Sequence, residues 1–306
     1  MNALPPLRAA VIGCGKIGAE ELLYPKALRP ATHAALFSEQ KRITVLALVD
    51  SSKSQLEKAK RLFPRAFLFR SVQRMMKEIQ PDIVSVAVPT PMHEKIIGEV
   101  VFYHPLAVIC EKPLALQMKA AERIVDLCRK RRIMLFVNHT RRFDPELLKV
   151  RREIKKIGPI VQGTAYYTRG LFNNGTHLVD LLRFYLGEVE SVSGLRNRGT
   201  EHWQDLKNDM NVDGMLLFKS GSRVALQSFD ANDYSIFDIV LYGRKGSIPL
   251  TKRVKGSMKG LGIHVIDCLD GKAKPMSTGE DGLEALEILF ALKKSAELQG
   301  RAVKVI

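Results

Sequence analysis

The chain has 306 residues, 46% hydrophobic and 26% charged, which is room for two domains and an ordinary balance for a soluble fold. No apolar run approaches the ~20 residues that cross a bilayer, and the N-terminus has no basic-then-apolar leader, so a cytoplasmic protein without a membrane partner is expected. The net charge of +16 is spread along the chain, which argues against nucleic acid and for a field that draws in an anionic small molecule; the scattered Cys14, Cys110, Cys128 and Cys268 exclude a zinc ribbon or disulfide framework.

In chain order, the first element is a strand at Leu7–Ile12 that runs into Gly13-Cys14-Gly15-Lys16-Ile17-Gly18. A G-x-G-x-x-G run is informative between a strand and a helix, which is its setting here. Gly13 permits a tight turn, Gly15 lets the backbone approach a pyrophosphate, and Gly18 allows close helix–strand packing. The helix start, with Lys16 and Ile17, offers N–H groups and a positive dipole end to the phosphates. Residues 8–50 thus read as a dinucleotide-binding βαβ unit. The second strand, Ile43–Val49, ends at Asp50, whose carboxylate suits ribose hydroxyls and opposes a 2′-phosphate. NAD is therefore expected ahead of NADP, although Ser51, Ser52 and Lys53 leave NADP open. Asp50 stands 32 residues beyond Gly18, where ~20 is usual, which points to an insertion at 24–33.

Apolar runs at 83–88, 107–110 and 133–137 follow, separated by helical patterns at 54–62, 72–79, 93–101 and 116–129. Strands of this kind, buried on both faces and alternating with helices, predict a doubly wound parallel α/β sheet. Such sheets bind ligands at the carboxyl ends of their strands. There the chain places Pro89-Thr90-Pro91-Met92-His93 and Glu111-Lys112-Pro113, and Asn138 ends the last strand where it can touch a nicotinamide edge. His93 either supports its helix or touches the cofactor. Lys112, between an apolar strand and a proline, is held at the crevice mouth. Removing a hydride from a carbinol carbon requires a base for the hydroxyl proton, and a lysine can serve if its surroundings lower its pKa.

From about residue 157 the pattern changes to strands at 160–168, 189–195, 213–218, 223–229 and 236–241, with one strong helix among them and a last helix at 282–299. This predicts a second, α+β domain on a mainly antiparallel sheet. The expected division is 1–139 for cofactor binding and 140–306 for substrate binding and self-association. Asn174 or Thr176 can cap the internal helix, whose Leu178, Leu181, Leu182 and Tyr185 form an apolar stripe beside His177. Asp180, one turn on, either orients His177 or faces solvent. His33, His104, His139, His202 and His264 have no metal-ligand spacing, and no metal site is expected. Residues 249–264 are a short basic stretch where a longer substrate-covering segment could stand.

Gly13/Gly15/Gly18, Pro89-Thr90-Pro91 with His93, Glu111-Lys112-Pro113, the run from Asn138 to Pro145 and the run from Asn173 to Asp180 together resemble the glucose–fructose oxidoreductase/inositol dehydrogenase (Gfo/Idh/MocA) family. The resemblance covers nearly the whole chain. It implies an NAD(P)-dependent dehydrogenase that moves a hydride between a secondary hydroxyl of a sugar, cyclitol or sugar nucleotide and the nicotinamide. It also implies Lys112 and His177 as acid–base residues, Arg142 and Asn173 towards the substrate, and Pro89, Thr90, His93, Glu111 and Asn138 towards the cofactor. A homodimer or homotetramer is implied as well. The family's motif begins with an acidic residue where this chain has Asn173, which can hold a hydroxyl but cannot take a proton. Two other readings share the cofactor half. One is a non-catalytic dinucleotide sensor, which the retention of Lys112 and His177 disfavours. The other is a reductase of a C=C or C=N bond.

Overall fold

The valine- and isoleucine-rich runs of the first half pair edge to edge in the computed structural model, which describes residues 5–26, 29–197, 209–250 and 258–305. Contacts divide the chain into two units: Met1–Phe143 with Lys255–Leu283, and Asp144–Val254 with Glu284–Ile306.

In the first unit the strands are β1 (Leu7–Ile12), β2 (Ile43–Val49), β3 (Phe67–Phe69), β4 (Ile83–Val86), β5 (Ala107–Cys110) and β6 (Met134–Val137). Their order is β3-β2-β1-β4-β5-β6, and every adjacent pair is parallel. The order reverses between β1 and β4, so the carboxyl ends of these two strands flank a crevice of the kind that binds dinucleotides. The helices are α1 (His33–Ser38), α2 (Lys53–Leu62), α3 (Val72–Ile79), α4 (His93–Val101) and α5 (Met118–Lys130). Edge strand β3 is short and exposes Phe67 and Leu68, which is why its apolar pattern did not stand out.

The first helix departs from expectation. The glycine turn makes one helical turn, with Gly18 and Ala19 N–H groups bonding to Gly15 O, and the chain then leaves at residue 20. It returns at His33, whose N–H bonds to Ile17 O, while Ala34 N–H bonds to Gly18 O. The hydrogen-bond ladder therefore crosses from Ile17 and Gly18 directly to His33 and Ala34, and residues 20–32 are extruded from the helix between them. The insertion lies at 20–32 rather than 24–33, and His33 is helix. The extruded loop is braced from within. Glu21 accepts from Ala31 N and Thr32 Oγ1, and the Arg29 guanidinium donates to Tyr24 O at 2.8 Å.

The first unit also takes chain from beyond the expected boundary at 139. A helix at Lys259–Leu269 buries Leu261, Val265 and Cys268 in the same core as Leu36, Phe37 and Phe143. Each such buried side chain contributes about 1.5–3 kcal/mol, enough to hold this segment against the sheet. Val137 N–H bonds to Ser277 O at 2.8 Å and Ser277 Oγ returns a bond to Val137 O, which ties the following segment to β6. Residues 251–257 of the basic stretch, and His202, lie outside the described residues.

The second unit is a mixed sheet, antiparallel except where the strands Ile160–Thr168 and Arg223–Phe229 run parallel. Naming the remaining elements in chain order, the helices are α6 (Pro145–Ile154), α7 (Thr176–Leu186), α8 (the Lys259–Leu269 helix) and α9 (Gly279–Glu297). The strands are β7 (Ile160–Thr168), β8 (Val189–Arg196), β9 (Val212–Phe218), β10 (Arg223–Phe229), β11 (Asp238–Gly243), β12 (Gly246–Pro249) and β13 (Val303–Lys304). The sheet order is β12-β11-β7-β10-β9-β8-β13. Alternate residues, such as Ala165, Tyr167, Val224, Leu226 and Leu216, are fully buried beneath the helices. Phe172 stacks edge-on against Phe290 of α9, and Ser295 of the same helix accepts a bond from Gly194 N.

Candidate active site

The cofactor half is built at the carboxyl ends of β1, β2, β4, β5 and β6. A Cβ on Gly13 would lie 2.5 Å from the Ala87 carbonyl oxygen, and one on Gly18 would land on the carbonyl oxygen of Gly13. Both positions are closed to any side chain by backbone. Gly15 is different: a Cβ there would meet nothing within 4 Å, so this glycine borders open space. The N–H groups of Gly15, Lys16 and Ile17 precede the first bond inside the turn, the arrangement that receives a phosphate. Asp50 accepts from Cys14 N and Ser52 N, each at 2.8 Å, which orients its carboxylate while lone pairs remain for ribose hydroxyls. Burial first, then the Asp50 charge, pushes the Cys14 thiol up to about 12, so this cysteine is inert packing beneath the turn.

Glu111 follows β5 directly and is buried. Its Oε1 accepts from Asn138 Nδ2 and lies 2.7 Å from His33 Nε2. His33 is itself fully buried, and its Nδ1 lies 2.6 Å from Ser85 Oγ on β4. Burial alone would raise the Glu111 carboxyl, but the His33 bond and charge, Asn138 and Lys112 outweigh it and hold the group below its ordinary value. Asn138 Oδ1 is buried with no hydrogen-bond partner among the described residues. An orphaned acceptor beside the strand ends is what a carboxamide donor of a cofactor would satisfy. With the open space at Gly15 and the oriented Asp50, the residues present fit a dinucleotide.

Two expected contacts are corrected. His93 does not face the crevice; it is fully buried, with Nδ1 3.1 Å from Leu114 O and Nε2 3.0 Å from Val88 O. Burial, against its bonds and the Glu111 charge, lowers its pKa. Its side chain ties the loop after β4 to the loop after Lys112, and so positions Pro89 and the buried Thr90. Arg142, expected near substrate, is 4% exposed and pairs with Asp281 of α9 at 2.8 Å, anchoring the turn after Asn138. A guanidinium so placed is part of the fold of the first unit.

In the second unit, His177 sits in the first turn of α7, buried, with Leu178, Leu181 and Leu182 fully buried beside it. Asp180 is also buried, which removes the solvent-facing alternative. Gly175 stands at the cap position of the helix and brings no side chain to it. A wide turn at Leu171–Gly175 precedes it, and the carboxylate of Asp209, distant in sequence, accepts from Phe172 N, Asn173 N and Met210 N at 2.9–3.0 Å. Burial raises the Asp209 pKa against these three bonds. A Cβ on Gly170 would collide with the same carboxylate, so the glycine there makes room for it. Asn173 donates its side-chain amide to Arg169 O. Asp209→Ala leaves three N–H groups without their acceptor, and we expect a loss of about 1–3 kcal/mol in urea unfolding. Wild-type stability in that variant would exclude the capping role.

The first unit thus brings together Gly13, Gly15, Gly18, Asp50, Glu111, Lys112 and Asn138 around the strand ends, and the second carries Asn173 and His177 at one helix start. Sequence reading noted His33 only for its lack of metal-ligand spacing and passed over Ser85 and Asp209. The one available signal was Thr32, which precedes a helical run and caps α1 by accepting from Ala35 N.

Residues 7–139 match a family described as an oxidoreductase family with an NAD-binding Rossmann fold, and residues 158–249 match the Gfo/Idh/MocA C-terminal domain. D-apiose dehydrogenase of Paraburkholderia graminis is 23% identical over 97% of this chain and 89% of its own length. Myo-inositol 2-dehydrogenase of Thermotoga maritima is 25% identical over 98% of each chain. Among solved structures, the WlbA dehydrogenase of Bordetella pertussis, in complex with NADH and UDP-GlcNAcA, gives a TM-score of 0.83 at 21% identity, covering 99% of this chain and 98% of that one. At such identity the structural likeness shows the fold.

Proposed function

The chain belongs to the Gfo/Idh/MocA family of oxidoreductases with an NAD-binding Rossmann fold, and from that premise we propose that it is an NAD-dependent dehydrogenase of a secondary hydroxyl on a sugar, cyclitol or sugar nucleotide. The observation that carries this reading is Lys112, set at the carboxyl end of β5 between the buried Glu111 and the buried Pro113.

Bound NAD supplies the hydride acceptor. The glycine turn and the N–H groups of Lys16 and Ile17 hold its phosphates, and Asp50 holds its adenosine ribose and disfavours a 2′-phosphate. Asn138, through its unpaired Oδ1, and Thr90 and Glu111 line the nicotinamide end. Lys112 takes the proton of the substrate hydroxyl, since a side-chain amine has the lone pair that the reaction needs. His177 is the second acid–base residue, assigned on its motif position, and Asn173 holds a hydroxyl as donor or acceptor without titrating. The relatives named above act on D-apiose and myo-inositol, and the Bordetella enzyme was solved with a sugar nucleotide, which supports a polyhydroxylated substrate. The +16 charge favours an acidic member of that class.

Self-association is part of the proposal. The outer face of the second sheet carries Tyr166, Met215, Leu217, Val240 and Tyr242, all half-buried or exposed, an apolar surface suited to a second copy. No helix among the described residues is long and apolar enough to cross a membrane. The functional test is a screen of sugars, cyclitols, sugar acids and sugar nucleotides with NAD and with NADP, followed by cofactor absorbance. We expect reduction of NAD, and a weaker response with NADP. Cofactor binding without reduction across all four classes would overturn the dehydrogenase reading.

A further inference from the structure

Four side chains from four elements form one buried line that includes Glu111, the residue before Lys112. Ser85 on β4, His33 at the start of α1, Glu111 at the end of β5 and Asn138 at the end of β6 are each at most 9% exposed. Their links are Ser85 Oγ to His33 Nδ1 at 2.6 Å, His33 Nε2 to Glu111 Oε1 at 2.7 Å, and Asn138 Nδ2 to the same oxygen. An ionised carboxylate only accepts, so Nε2 carries a proton directed at Glu111, while the Ser85 hydroxyl, which can donate or accept, bonds Nδ1.

The chain goes to some length to put this histidine here. α1 begins at His33 because residues 20–32 are extruded, and the ladder bonds from His33 N to Ile17 O and from Ala34 N to Gly18 O fix the backbone that carries it. A buried carboxylate stays ionised only while its partners hold it. Among the titratable groups that feel the Glu111 charge are Tyr24 in the extruded loop, His93 on α4, and Cys110 and Lys112, its neighbours in sequence. Burial pushes Tyr24 and Cys110 up and His93 down, so all three remain neutral near pH 7. His33 is therefore the titratable side chain that bonds Glu111 directly, and Lys112 is the cation next to it.

We propose that His33 is a positioning residue for Lys112: its bond to Glu111 keeps a carboxylate charge beside the lysine and so raises the pH at which Lys112 releases its proton. Without that bond Glu111 takes up a proton, Lys112 loses its counter-charge, and the ammonium gives up its proton at lower pH. The functional meaning rests on the reading of Lys112 as the base; the titration itself does not.

The test is substrate-free. Lysines are dimethylated with isotope-labelled formaldehyde, and the Lys112 methyl resonance, assigned by its loss in Lys112→Arg, is followed by NMR against pH. In His33→Leu the midpoint is expected to fall by about one pH unit or more, and in His33→Gln to return to the wild-type value, because the amide N–H replaces Nε2–H. Glu111→Gln, nearly isosteric, is expected to reproduce the fall and serves where His33→Leu does not fold. A wild-type midpoint in His33→Leu or Glu111→Gln, or a His33→Gln that behaves like leucine, would overturn the proposal. Turnover retained by Lys112→Ala, by contrast, removes the base assignment and leaves this titration untouched.

Discussion

Lys112→Ala is expected to lower kcat by about 100- to 10,000-fold, the range that a positioned acid or base contributes, and to leave the affinity for NAD within about twofold of wild type. The split follows from geometry. The glycine turn, Asp50 and Asn138 are set by β1, β2 and β6, and none of the bonds described for them passes through the Lys112 side chain. Lys112→Arg does not restore the rate, because a guanidinium keeps its proton at any working pH and cannot act as a base. Single-turnover hydride transfer and NAD titration on the same preparations check both halves. Near-normal turnover in Lys112→Ala would remove the assignment, whereas a parallel loss of NAD binding would show that the lysine supports the cofactor.

The second large effect is at the glycine turn, where two substitutions of equal size give different results. Gly18→Ala forces a methyl group into the Gly13 carbonyl, and backbone on both sides leaves it nowhere to go. Overpacking of this kind costs about 1–3 kcal/mol, so we expect a lower Tm together with NAD binding weakened by about 100-fold. Gly15→Ala places its methyl in open space, so Tm stays at the wild-type value while NAD binding falls, since the pyrophosphate must approach that backbone. Calorimetry and NAD titration of both variants distinguish the roles. Equal Tm values would contradict the packing role of Gly18, and unchanged affinity in Gly15→Ala would contradict the cradle.

What could be read from the sequence was what lies close together along it. The glycine spacing, the paired strand ends and the α7 stripe are local patterns, and each marked its element. Interactions across long intervals left no such trace. His33 meets Glu111 across 78 positions, and Asp209 caps a turn 36 positions upstream. A carboxylate that satisfies three backbone N–H groups has the same one-letter code as a solvated one. Arg142 was placed towards substrate by motif position, but its burial and its Asp281 partner become visible only in three dimensions. The insertion was sensed from the distance between Gly18 and Asp50, yet its start was misplaced because residues 19–23, Ala-Glu-Glu-Leu-Leu, read as continuing helix. Residues 258–283 were given to the wrong unit because pairing of Val137 with Ser277 cannot be inferred from either segment alone.

The extruded loop also bears on how the first unit comes together in time. A helix ordinarily lengthens by adding residues one after another to an existing turn, a fast step once nucleation is past. Between Ala19 and His33 that route is blocked, because the next rung of the ladder is supplied by chain on the far side of residues 20–32. Closing a loop of this length costs about 2 kcal/mol of chain entropy before any bond across it forms. The template that offsets it is the sheet, where Ser85 and Glu111 give His33 its two polar contacts. This helix is consequently assembled from two pieces rather than grown from one. The glycine turn and His33 are therefore expected to reach their places together, once β4 and β5 are paired.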